Sequence, residues 1–349
     1  MLQSKPKYID FNFDLYDDFK IKDEEIKPID IKYLPWVEKF RPQYLDEIIS
    51  NKEIVQTLKD YVKKKYLPHL LICGPSGTGK TSVIISTAKE LYGNYFSIMT
   101  MHINASEERG IEVIRNKVKE FVSTKSFNPI DIPFKLIILD EADAMTISAQ
   151  GMLRRMIEDF TGTARFCLLC NKLKNIDPAI QSRCTNFRFA PLTSDDILKR
   201  IEKICKDMKI KYKDDGLKLI IKVSNGDMRK VLNNLQSIYM AYRDITYENV
   251  SKCIGYPTHN EIDEIYKILL NKKYSIALKE IKDIIVHNQY FLLDILNEIH
   301  LKLRKDLLNN NISIERFSKI IMKLKNVEQN SFISVSEPLQ ISEFVGSFY

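Results

Sequence analysis

The sequence predicts an α/β domain built on a largely parallel sheet, followed by two helical domains. Three observations carry that expectation. Between Pro35 and about Pro191, short apolar runs rich in β-branched residues alternate with amphipathic stretches, the pattern of repeated strand–helix units. From Pro191 to Tyr349 the pattern is almost wholly helical. Gly226 and the pair Gly255 and Pro257 interrupt that second half and divide it near residue 256.

Residues 1–34 mix acids, lysines and scattered aromatics without periodicity, and are expected to be a charged leader with too little apolar content to pack. The α/β domain is expected over 35–192, where HLLIC, MHIN, KLIILD and RFCLLC read as strands, each followed by a polar loop and a helical pattern. A small helical domain is expected over 193–256, opening where Thr193 or Ser194 can cap a helix with acids in its first turn. A second helical domain is expected over 257–349. Its apolar faces include Leu269, Leu270, Ile276, Leu278, Ile284, Ile285, Phe291, Leu292, Leu293, Ile295 and Leu296, serving either a core or a partner.

At 349 residues the chain exceeds one compact core, which agrees with several domains. Hydrophobic residues at 44% and charged ones at 28% are the mix of a water-soluble globular protein. No stretch approaches the roughly 20 apolar residues that cross a bilayer, and the start lacks the basic-then-apolar order of a secretory signal, so no membrane partner is expected. The net charge is +7, yet residues 1–30 hold five lysines against eight acids, so the remainder is more basic than the total. A basic body suits a polyanionic partner, and equally a solvated lysine-rich surface. Cys167 and Cys170 form a CxxC, but they sit in the apolar run RFCLLCN. Residues three apart on a strand point to opposite faces, so two buried core thiols are expected rather than a zinc site. The histidines at 69, 102, 259, 287 and 300 show no ligand or triad spacing.

The chemistry lies in two stretches. Gly74, Pro75, Ser76, Gly77, Thr78, Gly79, Lys80 and Thr81 satisfy GxxxxGK[ST] between an apolar strand and the helical pattern that begins at Ser82, and these residues with Ser82 are expected to bind the nucleotide. Glycines let such a loop curl so that its N–H groups face phosphates at a helix N-terminus. Lys80 then reaches the β- and γ-phosphates, and the Thr81 hydroxyl suits Mg²⁺. In KLIILDEAD, four apolar residues run into Asp140 and Glu141, one carboxylate for the Mg²⁺ shell and one to polarise an attacking water. The letters DEAD invite an RNA helicase, but that architecture needs a second strand–helix domain, and the C-terminal half is helical.

PWVEKFRP, the P-loop, NASEERGIEVIR, LDEADAMT, LRR, CNKLKNIDPAIQSRC and GDMRKVLNNLQ occur in one order, and on them the chain resembles the small subunits of replication factor C, the AAA+ sliding-clamp loader of eukaryotes. The resemblance covers about residues 33–349 and is densest over 33–235. It implies an AAA+ P-loop domain, a helical lid and an all-helical oligomerisation collar, acting in the nucleus within a hetero-pentamer. It also implies ATP and Mg²⁺ as cofactors, with a sliding clamp and primer–template DNA as further partners. Residue by residue, it implies that Val37, Arg41 and Ile49 line the adenine pocket. Asn171 would be a first sensor orienting the water, Arg229 a second sensor on the lid, and Arg183 an arginine finger acting in trans on a neighbour's ATP. Arg109, Arg115 and Lys119 match positions that track DNA phosphates, the last two on one helix face. Arg154 and Arg155 match a paired arginine whose role stays open between DNA, relay and interface.

The chain departs from the family's pattern at Lys174 and Asn175, where relatives have Ser-Lys, and at Gly151 and Met152 before LRR. Ser76 stands where a second Pro is common, a change expected to be harmless. Two rivals remain: a homo-oligomeric DNA motor of the branch-migration type, and a scaffold subunit that holds ATP and supplies only Arg183. Intact Lys80, Asp140 and Glu141 speak against an inactive site.

Overall fold

The computed structural model describes residues 34–106, 111–124, 132–331 and 336–349, with residues 111–114 described by backbone alone. The expected leader therefore lies outside the described residues, apart from Leu34. Five strands form one parallel sheet: β1 Leu70–Cys73, β2 Thr100–Asn104, β3 Lys135–Asp140, β4 Ala164–Cys170 and β5 Thr185–Arg188. Their order is β2-β3-β4-β1-β5.

The four expected strands are present. The fifth has no clear sequence signal, because β5 is four residues long with half of them exposed. Its place at the sheet edge comes from pairing with β1, Leu70 opposite Thr185.

Both faces of the sheet are covered, as a parallel sheet requires. Leu70, Ile72, Leu136, Ile138, Cys167 and Leu169 face one side and meet Val83, Ile84, Ala88 and Leu91 of the helix Lys80–Tyr92. Leu71, Ile137, Leu139, Phe166, Leu168 and Cys170 face the other and meet Leu153, Met156 and Ile157 of the helix Ile147–Asp159. Cys167 and Cys170 thus lie in cores on opposite sides of the sheet, as the strand period demands.

The helices Ser194–Asp207, Asp214–Ser224, Met228–Tyr242 and Tyr247–Ile254 form a second body with its own core. Thr193 caps the first of them, its hydroxyl accepting from the Asp196 N–H. Trp36 falls within the range expected for the α/β domain, yet it is buried in this helical core. Its backbone N–H donates to Gln236 Oε1 at 2.9 Å, and its ring lies 5.6 Å from that of Tyr239. The N-terminal segment therefore straps one domain to the next.

The last five helices, His259–Asn271, Tyr274–Asn288, Leu292–Leu308, Ile314–Ser331 and Glu337–Gly346, share a third core. Leu269, Ile285, Leu292, Ile295 and Leu296 are buried there, whereas Ile276 and Phe291 are exposed. Among the described residues, no helix is long and apolar enough to cross a membrane.

The second and third bodies meet at Glu298, which is only 7% exposed. It accepts from the Lys222 ammonium and the Tyr256 hydroxyl. Burial pushes its carboxyl up, but these two donors and the positive charge of Lys222 outweigh burial and hold it below the usual glutamate value. A depressed carboxylate contributes stability that is present above its unfolded value of 4.5 and is lost as the pH falls below that through the folded value. Glu298→Gln is expected to destabilise the protein by about 2 kcal/mol at pH 7 in urea denaturation. The gap from the parent should narrow on acidification to about pH 4, and a gap that widens would contradict the assignment.

Candidate functional site

Because the strands are parallel, their C-terminal ends reach one edge of the sheet, where ligands of open α/β folds bind. The loop starting at Gly74 leaves β1, Asn104 and Asp140 end β2 and β3, and Asn171 follows β4. A cavity of about 380 Å³ opens there. Of the residues expected to bind nucleotide, Val37, Arg41, Ile49, Ser76, Gly77, Thr78, Gly79, Lys80, Thr81, Ser82, Asn171 and Arg229 all line it, as do Asp140 and Glu141.

Gly74 and Pro75 do not line the cavity; they act through their carbonyls. Lys80 is buried, and its ammonium donates to Gly74 O at 2.7 Å, Pro75 O at 2.8 Å and Asn171 Oδ1 at 2.9 Å. Burial pulls this ammonium below the usual lysine value, with the Asp140 charge pulling it back up. A side chain at position 74 would not fit, since a Cβ there would fall 2.6 Å from Phe189 O.

The Thr81 hydroxyl donates to Asp140 Oδ2 at 2.9 Å. The Glu141 N–H donates to Asp140 Oδ1 at 2.9 Å, and His102 Nε2 lies 3.7 Å from Oδ2. Burial would raise the Asp140 carboxyl, but the nearby His102 ring and hydrogen bonds from the Thr81 hydroxyl and the Glu141 N–H outweigh it and hold the group below the usual aspartate value. An ionised carboxylate touching a hydroxyl is a hard-oxygen donor pair that fits Mg²⁺, which keeps most of its waters. Glu141 adopts left-handed backbone, φ 54°, a conformation uncommon for non-glycine residues. Its side chain is exposed toward the cavity.

His102 carried no signal in the sequence. It sits two residues before the end of β2, and only the pairing of β2 with β3 brings it to Asp140. Arg200 and Asp196, from the first helix of the second body, were likewise unassigned and line the same cavity.

Arg183 does not line the cavity. It precedes β5, whose first residue pairs with the first residue of β1, so it lies at the opposite end of the sheet from the phosphate loop. Four residues of β1 separate the two ends, a span of about 13 Å at strand rise. Its guanidinium pairs with Glu158 Oε1 at 2.6 Å and donates to Ala179 O at 2.8 Å. Such half-exposed pairs contribute about 0–1 kcal/mol, so a stronger partner can displace Glu158.

Arg115 and Lys119 are exposed on the helix Ile111–Ser123, and Arg109 lies outside the described residues. Arg155 is exposed, while the Arg154 Nε is buried without a hydrogen-bond partner among the described residues.

Residues 70–192 match the family model of AAA ATPases, the ATPase family associated with various cellular activities, and residues 257–347 match the replication factor C C-terminal domain. The chain is 42% identical to human replication factor C subunit 5 over 91% of its length and 92% of that protein. It is 40% identical to replication factor C subunit 3 of rice, with 90% and 86% covered, and 39% identical to subunit 3 of Schizosaccharomyces pombe, with 90% of each covered. The solved structure of the Thermotoga maritima RuvB Holliday junction branch migration motor superposes with a TM-score of 0.51 at 16% identity, covering 69% of this chain and 85% of that one, a likeness of fold. The chain belongs to the replication factor C small-subunit family of AAA+ ATPases, close to the relatives numbered five in animals and three in fission yeast.

The geometry around Lys80 generates a direct test. Lys80→Met removes the one ammonium in the phosphate loop and is expected to weaken binding of a fluorescent ATP analogue about a hundredfold, at roughly 1.4 kcal/mol per tenfold. Unchanged affinity would place the nucleotide elsewhere.

Proposed function

From that membership, we propose that the chain is an ATP-hydrolysing subunit of a hetero-pentameric clamp loader in the nucleus. ATP binding assembles a ring able to hold a sliding clamp open on primer–template DNA, and hydrolysis releases the clamp. The observation that carries this reading is the split of the catalytic set. Lys80, Thr81, Asp140, Glu141, Asn171 and Arg229 converge on one cavity, while Arg183 lies at the opposite end of the sheet, paired with Glu158. An arginine that cannot reach its own chain's cavity supports a role at a neighbour's site.

Within the site, Lys80 and the loop N–H groups hold the phosphates, and Arg229 approaches from the helical lid. Thr81 and Asp140 would hold Mg²⁺, which would supply positive charge to neutralise the phosphates. Glu141, at the cavity wall, accepts a proton from the attacking water as it closes on phosphorus, while Asn171 orients that water. Arg183 stabilises the charge that develops on the adjacent subunit's phosphates, a contribution of about 10³ to 10⁵ in rate. The collar leaves Phe291, Leu308, Ile314 and Met322 exposed, apolar surface suited to neighbouring subunits. Arg115 and Lys119 suit the DNA backbone, which needs charge and reach without base contacts.

Steady-state ATP hydrolysis is measured for the chain alone, then with the other loader subunits, clamp and primed DNA. Slow turnover alone, a rise of many-fold with partners, and a fall of about 10³ or more at the neighbouring site in Arg183→Ala with ATP binding intact are expected. Fast DNA-stimulated turnover by the chain alone would favour a homo-oligomeric motor instead. In the assembled ring, Glu141→Gln is expected to retain ATP binding and clamp opening while slowing hydrolysis at this site about 10² to 10⁴. Clamp release at the parent rate would mean that this subunit holds ATP as a scaffold.

A further inference from the structure

The lid meets the phosphate loop through a carboxylate and a backbone hydrogen bond. Asp227 caps the helix Met228–Tyr242, its Oδ1 accepting from the N–H groups of Arg229 at 2.8 Å and Lys230 at 3.4 Å. Its other oxygen accepts from the Ser76 hydroxyl at 3.2 Å, across 151 residues of sequence. Beside it, the Met228 N–H donates to Gly77 O at 3.2 Å. The contact leaves no room for a side chain on the loop: a Cβ on Gly77 would fall 1.8 Å from Asp227 Oδ1, and the residue sits at φ 69°. Ser76, expected to be harmless, is thus a donor from the loop to the lid.

A carboxylate beside an anion-binding loop is electrostatically unfavourable for a polyphosphate, so its presence requires a compensating role. We propose that Asp227 is a positioning residue, which through Ser76 and Gly77 locks the phosphate loop to the first turn of the lid helix and so sets where Arg229 meets the bound nucleotide. Arg229 is two residues from the carboxylate and shares its helix turn. When the loop settles around phosphates, Asp227 transmits that arrangement to the lid. When the lid swings, it carries Arg229 away and frees the nucleotide. Asp227 itself touches no reacting atom.

This inference rests on the nucleotide-site reading and is tested on the full chain, by dissociation of a fluorescent ATP analogue with Mg²⁺ after chase with unlabelled ATP. Ser76→Ala deletes one hydroxyl at an exposed position and is expected to speed release about three- to tenfold, the effect of one hydrogen bond to a charged group discounted for exposure. Ser76→Thr keeps a hydroxyl and should restore release to near the parent rate. Asp227→Ala should speed release further, and Asp227→Asn, which retains the helix cap, less so. Combined with Arg229→Ala, neither Ser76→Ala nor Asp227→Ala should add its full effect, since both act through that arginine. Parent-like release in Ser76→Ala, or strict additivity with Arg229→Ala, would overturn the inference. A parent chain that does not bind the analogue would overturn the nucleotide-site reading along with it.

Discussion

An ammonium buried beneath a glycine loop has to be held by oxygens, and Lys80 obtains them from three residues at two places in the sequence. Gly74 and Pro75 turn their carbonyls inward, and Asn171 arrives from the end of β4. Leaving such a charge unpaired costs several kcal/mol, so the loop, the helix it opens and the strand beside it are mutually constrained. The parallel order β2-β3-β4-β1-β5 makes the constraint possible, because β4 lies next to β1 and delivers Asn171 within reach. The same order sets Asp140 one strand further on, close enough to bond Thr81.

That cluster is electrostatically prepared for a charged ligand. Asp140 is held ionised by its donors, while burial lowers the Lys80 ammonium. Phosphates would bring negative charge to Lys80, and a divalent cation would bring positive charge to Asp140, each replacing partners that the protein supplies to itself.

The remaining architecture ties this site to the rest of the molecule. Trp36 anchors the N-terminal segment in the lid core, so the cavity wall formed by Val37 and Arg41 belongs mechanically to the lid as much as to the sheet. Glu298 joins the lid to the collar through Lys222 and Tyr256, a buried polar contact in which each group satisfies another. The segment around Trp36 and the collar are thus both joined to the lid, and Arg183 stands at the opposite end of the sheet from the phosphate loop.

Strand period, the P-loop and the acidic strand end are local patterns, and the sequence alone determined them: four strands, the identity of Lys80, Thr81, Asp140 and Glu141, and the start of the helical half at Thr193. Backbone geometry over a few residues is enough to set those features. The motif order also sufficed to select Val37, Arg41, Ile49, Asn171 and Arg229, which line one cavity. Only the tertiary structure decided which strands are neighbours, and with that the edge strand β5, the approach of His102 to Asp140, the distance of Arg183 from the phosphate loop and the grip of Asp227 on that loop. Each of these joins residues far apart in the chain, across distances at which no local periodicity carries information. The partner of each is set by how sheet and helices bury their apolar faces against one another.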